Sequence, residues 1–249
     1  MRQLLPEPAE VDPFEAHAGA HRPVPPDRPW MALNMVTSTD GAIAIGGRSG
    51  SLGSEADHQV FRAIRAVGDV IIAAGGTVRA EGYGPPKPSA EVRAARVERG
   101  QSASPRMVVV SGSLDLDETS SYFAEAPEPP LVYTVERAPE VRLAALRRVA
   151  DVQIAGEESV DLSTMARHLG SLGVRCAVVE GGGVLNGHLL AAGLIDELNL
   201  TLAPLLVGGS ARRAVASVAE HPRRLALAHL WESEGNLLAR YVRTTDPVS

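Results

Sequence analysis

The stretch VVEGGGVLNGHLL, residues 178–190, decides the fold of this chain. Two valines lead into Glu180, three glycines follow, and a leucine-rich run then begins at helical spacing. A buried strand that passes through a glycine loop into a helix is typical of α/β proteins. Glycines let a ligand approach the backbone at the helix N-terminus, where unpaired N–H groups favour phosphate. The pattern predicts a phosphate- or pyrophosphate-binding loop, although a tight strand–helix turn without a ligand would use the same residues.

Composition limits the classes of function. The chain has 249 residues, a formal net charge of −6 and a single cysteine, Cys176. The acidic balance argues against a general nucleic-acid binder, and one cysteine excludes an internal disulfide and a Cys-based zinc site, so we predict no metal. The sequence has no run of the ~18 apolar residues that a membrane span needs and no signal-peptide core at its N-terminus. We therefore expect a cytoplasmic protein without membrane contact.

From Trp30 onward, strand-like and helix-like segments alternate. WMALNMVTS (30–38) predicts a buried strand, and Ser54 predicts the N-cap of a helix over EADHQVFRAIRAV (55–67). LALAHLWESEGNLLARYVR (225–243) predicts a β-hairpin that turns at Glu234-Gly235-Asn236. This order predicts an α/β fold with a mixed central sheet and a C-terminal antiparallel hairpin. We expect one domain over residues 30–249 and, over residues 1–29, a loosely structured, proline-rich arm that packs on the domain or is partly mobile.

A second glycine loop has the same placement as the first. IIAAGGTVRAE (71–81) runs from a strand through Gly75-Gly76-Thr77 into a short helix. Two such units could converge on one extended anionic ligand, for which a dinucleotide is the economical candidate. Thr77 could supply a hydroxyl or simply cap its helix. Ser111, at the end of MVVVS (107–111), is either a turn residue or a hydroxyl aimed at a phosphate.

Taken together, several segments resemble the reductase domain of riboflavin biosynthesis, over about Trp30 to Gly209. The matching segments are STDGAIA (38–44), FRAIRAVGDVIIAAGGTVRAE (61–81), RMVVVS (106–111), VVEGGGVLNGHLL (178–190) and AGLIDELNLTLAPLLVGG (192–209). The resemblance implies a dihydrofolate-reductase-like three-layer fold. It also implies NADPH-dependent reduction of 5-amino-6-(5-phosphoribosylamino)uracil, with hydride transfer to the sugar C1′ of an opened, imine-like form.

The resemblance also implies roles for individual residues. The positions that match cofactor contacts are Thr77, Glu81, Ser111, Val160, Gly182, Gly183, Val184, Leu185 and Asn186. Ser49, Arg65 and Glu180 match substrate contacts, and the planar guanidinium of Arg65 suits a phosphate. Asp40, in the turn near the nicotinamide end, and Glu180 are the catalytic candidates that the resemblance implies. A surface ion pair for Arg65 and a turn carboxylate for Glu180 are the alternatives.

The chain departs from the family pattern beside these residues. Glu81 stands where the family usually has Asp, Ser51 stands where a Trp is common, and EGYGPPKP (81–88) lacks an arginine that helps to hold the substrate phosphate. Arg79 or Lys87 could substitute for it. One alternative is therefore a reductase of the same fold acting on a dihydropterin such as dihydrofolate, which would need a buried carboxylate facing the ring. Another is a non-catalytic NADP-binding regulator, which NADPH oxidation would distinguish.

Self-association is the last expectation. The strand LNLTLAPLLV (198–207) has more apolar length than a small domain readily covers, and the family resemblance also favours a homodimer. Burial of this strand in the core is the competing explanation. The expected partners are thus a phosphorylated pyrimidine, NADPH and a second copy of the chain.

Overall fold

The structure, a computed structural model, describes residues 1–217 and 219–244. Its strands are β1 (Arg2–Leu5), β2 (Ala9–Glu10), β3 (Trp30–Ser38), β4 (Val70–Ala74), β5 (Arg106–Val110), β6 (Leu131–Thr134), β7 (Asp151–Ile154), β8 (Cys176–Val179), β9 (Glu197–Ala203), β10 (Leu225–Ser233) and β11 (Asn236–Arg243). Its helices are α1 (Pro13–Ala18), α2 (Glu55–Val67), α3 (Gly75–Glu81), α4 (Ala90–Glu98), α5 (Ser121–Ala124), α6 (Glu140–Leu146), α7 (Leu162–Ser171) and α8 (Gly183–Ala191).

The strands of the described residues form one mixed sheet in the order β2-β1-β10-β11-β9-β3-β8-β4-β5-β6-β7. Neighbours from β9 to β7 run parallel, while β9, β11, β10, β1 and β2 pair antiparallel in turn. The hairpin turns at Glu234 and Gly235, whose φ angles are 55° and 80°, and Ser233 pairs with Asn236. The predicted mixed α/β fold with a C-terminal hairpin is confirmed.

Helices cover the parallel strands on both faces, which makes three layers. Along β4, alternate side chains enter different cores: Ile71 packs with Met107 and Val178, whereas Ile72 packs with Val108 and Val179. The continuous apolar sequence of this strand is expected, because a strand covered on both faces has no side chains in contact with water. Cys176 is buried beside them, and burial raises the pKa of its thiol to about 12.

Residues 1–29 pack on the domain, which was one of the two expectations for this segment, and they hold more regular structure than a loosely structured arm implies. β1 pairs with β10, and α1 begins at the N-cap Asp12, whose carboxylate accepts from the N–H groups of Phe14 and Glu15. Arg22 and Arg28 reach the sheet and pair with the buried carboxylates Glu197 and Asp196, with closest N–O distances of 3.0 and 2.5 Å. The many prolines do not indicate regular structure in this segment, and the residues that hold it in place lie more than 160 residues away in sequence. The division at residue 30 as a domain boundary stays a prediction.

A buried arginine holds the end of α2, the helix that carries Asp57, Phe61 and Arg65 of the site described below. Arg96, on α4, is fully buried and donates to the carbonyl oxygens of Ala66 at 2.9 Å and Gly68 at 2.7 Å. These carbonyls lie at the C-terminal end of α2, where a helix leaves acceptors without intrahelical partners. Burial lowers the pKa of Arg96 to about 10, so it remains charged at neutral pH. Among the described helices, none has the length and apolar content to cross a bilayer.

Candidate active site

The two glycine loops meet because their strands are neighbours. β8 and β4 are parallel, with Val179 beside Ile72, so the loops leave the same edge of the sheet. The Ala74 N–H donates to the Gly181 carbonyl at 2.7 Å, and this bond fixes the two loops against each other. Ligands of open α/β sheets bind beyond the carboxyl ends of such strands. The predicted convergence of the two loops is therefore confirmed.

A cleft of about 650 Å³ lies over these loops, and we call it the larger arm. Residues of both glycine loops and of the loop after β9 line it: Gly76, Thr77, Ala80, Glu81, Gly182, Gly183, Val184, Leu185, Ser210, Ala211 and Arg212, with Met35, Ile43, Ala44, Gly47, Ser49, Ala74, Tyr83 and Glu180. The N-termini of α3 and α8 both open here, and their N-caps, Ala74 and Gly182, have no side-chain oxygen. Their first N–H groups and partial positive charge suit a phosphate.

A second cleft of about 190 Å³, the smaller arm, continues toward α2. The two arms share the wall residues Met35, Ile43, Ser49, Tyr83 and Glu180. The rest of the smaller arm consists of Asn34, Val36, Gly50, Gly53, Asp57, His58 and Phe61. A ligand in each arm would therefore meet the other at the shared wall, which is the arrangement that a transfer between two bound molecules requires.

Glu180 is the centre of the shared wall. Arg65 donates to both of its carboxylate oxygens through Nε and Nη2, each at 2.7 Å, and the Tyr83 hydroxyl donates at 2.5 Å. The side chain of Glu180 is only 2% exposed and that of Arg65 15%, so this is a buried bidentate pair. The Arg65 guanidinium also stacks on the Phe61 ring, 4.1 Å from its centroid. Burial and the Glu180 charge raise the pKa of Tyr83, which keeps its hydroxyl protonated.

Arg65 thus lies behind Glu180 and does not line either arm. The phosphate-binding role implied for it would require a guanidinium that still has free donors facing the ligand. Here the planar edge formed by Nε and Nη2 is already used by Glu180. The geometry favours a role for Arg65 in fixing the position of the Glu180 carboxylate in the shared wall.

Ser49 and Glu81 connect two of the segments that line the larger arm. The Ser49 N–H donates to Glu81 Oε1 at 2.8 Å, which ties the loop after β3 to the C-terminal end of α3. Both residues line the larger arm. The longer side chain of Glu81, where the family usually has Asp, reaches this backbone N–H.

The catalytic role that the resemblance implied for Asp40 stays a prediction, and the structure shows its carboxylate holding a loop. Its carboxylate accepts from the Ser38 hydroxyl and from the N–H groups of Val207 and Gly208, at 3.2 and 2.6 Å. These bonds lower the pKa of Asp40, the Ser38 bond first, so it is a poor proton donor. Asp40 lines a neighbouring depression with Gly208 and Arg213, outside both arms. It holds the loop that closes the larger arm.

Three further predicted contacts lie outside both arms. Ser111 is buried, and its hydroxyl accepts from the Leu114 N–H at 3.1 Å. Val160 is partly buried and packs against the two cores. Asn186 is fully buried and donates to the Ala214 carbonyl at 2.8 Å. In this geometry the three side chains support the loops, and a cofactor role for them stays a prediction.

Among the lining residues that local sequence signals did not indicate, Tyr83 and Asp57 bear most on the chemistry of the cleft. Tyr83 lies in a glycine- and proline-rich loop, and a single aromatic residue in such a loop is the one sequence feature that could have indicated it. Asp57 lines the smaller arm from the first turn of α2, where an acidic residue is ordinary. Burial raises the pKa of Asp57, and the neighbouring Thr201 hydroxyl and His58 oppose this only in part. No group of three or more His, Cys, Asp or Glu side chains in the described residues is arranged to hold a metal.

The parallel sheet, the paired glycine loops and the two-armed cleft define an α/β protein with a nucleotide-type site at the carboxyl ends of its strands. The family model of the RibD C-terminal domain matches residues 29–238, so the chain belongs to this family. The resemblance to the riboflavin-biosynthesis reductase domain is thereby confirmed.

Relatives and solved structures agree with this assignment. The chain is 33% identical to the 2,5-diamino-6-ribosylamino-4(3H)-pyrimidinone 5′-phosphate reductase of Archaeoglobus fulgidus, over 73% of this chain and 83% of that protein. It is 32% identical to the enzyme of the same name from Methanothermobacter thermautotrophicus, over 76% and 83%. The crystal structure of a pyrimidine reductase-like protein from Corynebacterium diphtheriae superposes with a TM-score of 0.85 at 26% identity, covering 95% of this chain and 100% of that one. The predicted dihydrofolate-reductase-like, three-layer fold of this family is confirmed.

Proposed function

We propose that the chain is an NADPH-dependent reductase of riboflavin biosynthesis that acts on a phosphoribosylamino-pyrimidine. The observation that carries this proposal is the shared wall, where Glu180, Tyr83 and Ser49 face both arms of the cleft. A dinucleotide in the larger arm and a pyrimidine in the smaller arm would be brought together there. The family and the names of the relatives support the same reaction class.

The larger arm fits a nicotinamide dinucleotide. Two helix N-termini and four glycines, Gly47, Gly76, Gly182 and Gly183, offer backbone donors without side chains in the way. Thr77 adds a hydroxyl, and Arg212 supplies a positive charge from the loop after β9. The bound cofactor would supply the hydride. We propose that the site prefers NADPH to NADH, because the positive charge of Arg212 favours the dinucleotide with the additional phosphate.

The smaller arm fits the pyrimidine and the reacting sugar. In the opened, imine-like substrate, C1′ accepts the hydride and the attached nitrogen gains a proton, which gives the ribitylamine. The Glu180 carboxylate is suited to accept bonds from sugar hydroxyls and to stabilise the positive charge of the protonated imine, which the incoming hydride then neutralises. Tyr83 remains a protonated donor beside it. A cytoplasmic location accompanies this proposal as a prediction.

A comparison of substrates and cofactors tests the proposal. The purified protein is given 5-amino-6-(5-phosphoribosylamino)uracil, the 2,5-diaminopyrimidinone analogue or dihydrofolate, each with NADPH or NADH. We expect oxidation of NADPH and formation of the ribitylamine with at least one pyrimidine, and slower turnover with NADH. If no substrate is reduced while NADPH still binds, the non-catalytic regulator becomes the better explanation.

Reduction of a dihydropterin is the second candidate function, and Asp57 favours it. This reaction would need a buried carboxylate facing the ring, and Asp57 is a half-buried carboxylate that lines the smaller arm, where the ring would bind. The dihydrofolate arm of the assay decides between the two. Faster turnover of dihydrofolate than of either pyrimidine would move the pterin ahead.

We also propose a homodimer that buries one face of β9, β11 and β10. β9 is paired on both sides, and its alternate residues Glu197, Asn199 and Thr201 are buried. On its opposite face the apolar side chains remain partly exposed and continue across the neighbouring strands: Leu198, Leu200, Leu202, Leu230, Leu237 and Ala239. A contiguous aliphatic surface on a twisted sheet suits a symmetric partner.

A further inference from the structure

The half-buried Asp57 is a carboxylate of the cleft that the reaction described above leaves unused. It lines the smaller arm together with Gly53 and Glu180. Gly53 leaves one edge of the carboxylate uncovered, because a Cβ there would lie 3.0 Å from Asp57 Oδ2. Within residues 1–217 and 219–244, no ion pair includes Asp57.

Asp57 differs in this respect from the other carboxylate in the same arm. Both oxygens of Glu180 already accept from Arg65, and one also accepts from Tyr83. Burial raises the pKa of Asp57 although a hydrogen bond from the Thr201 hydroxyl opposes it, which means that its ionised form is incompletely solvated in the protein alone. A ligand that brought N–H donors to this carboxylate would replace the lost water and be bound more tightly.

The two pyrimidines of this reaction class differ in the donors that they could bring. A 2-amino-4(3H)-pyrimidinone presents an amino group at C2 beside the ring N3–H, which makes two adjacent donors. A uracil presents a carbonyl oxygen at C2 beside the same N3–H. An ionised carboxylate only accepts hydrogen bonds, so it matches the first edge with two bonds and meets a second acceptor on the other.

We propose that Asp57 selects the 2-amino-4-oxopyrimidine ring over the corresponding uracil, by accepting from its 2-amino group and its N3–H. This inference rests on the proposed function, because it assumes that the ring occupies the smaller arm. It makes the substrate the pyrimidine that still carries its 2-amino group, so a reaction that deaminates the ring would follow this reduction.

Repulsion contributes as much to this selection as attraction. With a uracil in place, the C2 carbonyl oxygen would face Asp57 Oδ1 or Oδ2 without a proton between them, and both acceptors would have lost water. Sites built on a buried hydrogen-bonding group discriminate strongly against a ligand that leaves that group unpaired. The same edge occurs in dihydropterins, so the carboxylate alone does not separate the two candidate functions.

Steady-state kinetics of the full-length wild type and Asp57→Asn test the proposal. We expect the wild-type kcat/KM to be about a hundredfold higher for the 2,5-diaminopyrimidinone phosphate than for the uracil. An asparagine offers one donor and one acceptor, which matches the N3–H and C2 carbonyl of uracil. Asp57→Asn should therefore bring the two substrates to within about tenfold of each other, mainly through KM. Glu55→Gln is the control, because it removes a charge from the same helix turn at an exposed residue.

Two readouts keep the outcome clear. Calorimetric titration with each ribitylamine product measures ring selection without turnover, and thermal unfolding reports whether Asp57→Asn has folded. If that variant does not fold, Gly53→Ala replaces it: the added Cβ would lie 3.0 Å from both Asp57 Oδ2 and His58 Nε2, which crowds the carboxylate edge and should reduce the preference for the 2-amino ring over uracil.

Equal wild-type efficiency on both pyrimidines, or a parallel loss on both in Asp57→Asn, would overturn the role of Asp57 while leaving the reductase proposal intact. If neither pyrimidine is reduced, the reductase proposal fails, and calorimetry alone then decides whether Asp57 recognises the 2-amino edge.

Discussion

Arg65 and Glu180, 115 residues apart in sequence, form a buried bidentate ion pair with both N–O distances at 2.7 Å. The pair joins α2 to the carboxyl end of β8, so it connects the helix that walls the smaller arm to the first glycine loop. Its geometry satisfies the condition under which a buried pair is tolerated, since the Tyr83 hydroxyl adds a third bond. Removing either partner would leave a charge with little water and no counter-charge.

We expect Arg65→Ala to destabilise the protein by about 3–5 kcal/mol, because it leaves Glu180 buried and unpaired. Chemical denaturation measures this loss, and kinetics should show a KM about tenfold to a hundredfold higher as the Glu180 carboxylate loses its fixed position. Arg62→Ala is the matched control on the same helix: its pair with Glu55 is exposed, so the change should cost less than about 1 kcal/mol. A higher KM without any loss of stability would instead indicate that Arg65 binds the substrate phosphate directly.

Tyr83→Phe tests the third member of this cluster. Loss of a hydrogen bond to a charged group should lower stability by about 1.5–3 kcal/mol and loosen Glu180 in the shared wall, with kcat/KM reduced about tenfold. Tyr122→Phe is the control, because the Tyr122 hydroxyl is buried without a hydrogen-bond partner among the described residues. Removing that hydroxyl should leave stability unchanged or raise it. Equal effects of the two substitutions would argue against a special role for Tyr83.

Gly182→Ala tests whether the glycine loop binds the cofactor. An added Cβ would lie 3.1 Å from the Thr77 hydroxyl, between the two loops that line the larger arm. We expect the Kd for NADPH, measured by fluorescence titration, to rise about tenfold or more while the melting temperature changes little. Gly112→Ala is the control, since the nearest atom to its Cβ is a Val135 methyl at 3.9 Å, away from both arms. Normal NADPH binding by Gly182→Ala would mean that this loop is only a strand–helix turn and does not contact the cofactor.

The homodimer is tested by Leu237→Lys. Leu237 lies opposite Glu232 in the hairpin, so a lysine there can form a cross-strand ion pair with Glu232 within the monomer. The same lysine places a charge in the proposed interface. Sedimentation at micromolar concentration should show a dimer for the wild type and a monomer for this variant. Val141→Lys adds the same charge to a residue that is 83% exposed on α6 and should remain dimeric. A monomeric wild type would remove the proposal.

Local pattern predicted the elements of the site better than their partners. Trp30–Ser38 forms the predicted strand, and Ser54 caps α2 as expected, because alternation of apolar residues and an N-cap are properties of neighbouring residues. Both glycine loops line one cleft for the same reason: each stands at the end of its strand. The order of the strands then brings them together.

Partners distant in sequence could not be predicted in this way. The sequence places Arg65 on a helix and Glu180 at the end of a strand, but no local pattern indicates that the two form an ion pair. Ser111 looked accessible because it ends a strand, yet its hydroxyl turns back to the Leu114 N–H. Asp40 likewise accepts from a loop about 167 residues away. Such contacts depend on how loops close over the sheet, which side-chain periodicity does not encode.

The N-terminal helix carries a pH dependence that can be measured separately from the active site. His17 is fully buried on α1, where Arg22 Nη2 lies 3.3 Å from its Nδ1. Burial, and then the Arg22 charge, lower the pKa of His17 to about 3. Burial and the Arg240 charge likewise lower the pKa of His229 to about 4. Both imidazoles are therefore neutral in the folded protein at pH 5, where the unfolded chain has already bound protons.

Folding stability should consequently fall as the pH drops below about 6.5, since the unfolded state binds more protons than the folded state. Each buried neutral histidine contributes about 2 kcal/mol to the difference in unfolding free energy between pH 7 and pH 5. The Glu197 carboxylate, whose pKa Arg22 and Arg240 hold well below its usual range against the effect of burial, adds to this loss only at lower pH. The interval from pH 7 to 5 thus isolates the histidines.

His17→Asn keeps an acceptor for Arg22 near the position of Nδ1 but cannot bind a proton in this range. Urea denaturation at pH 7 and pH 5 should show that the stability lost between them is about 2 kcal/mol smaller in His17→Asn than in the wild type, whatever the stability of the variant at pH 7. His188→Asn, at an exposed residue of α8, controls for the substitution itself. Equal losses between the two pH values in His17→Asn and the wild type would mean that His17 binds its proton in the folded protein as it does in the unfolded chain, with Glu197 stabilising the charge.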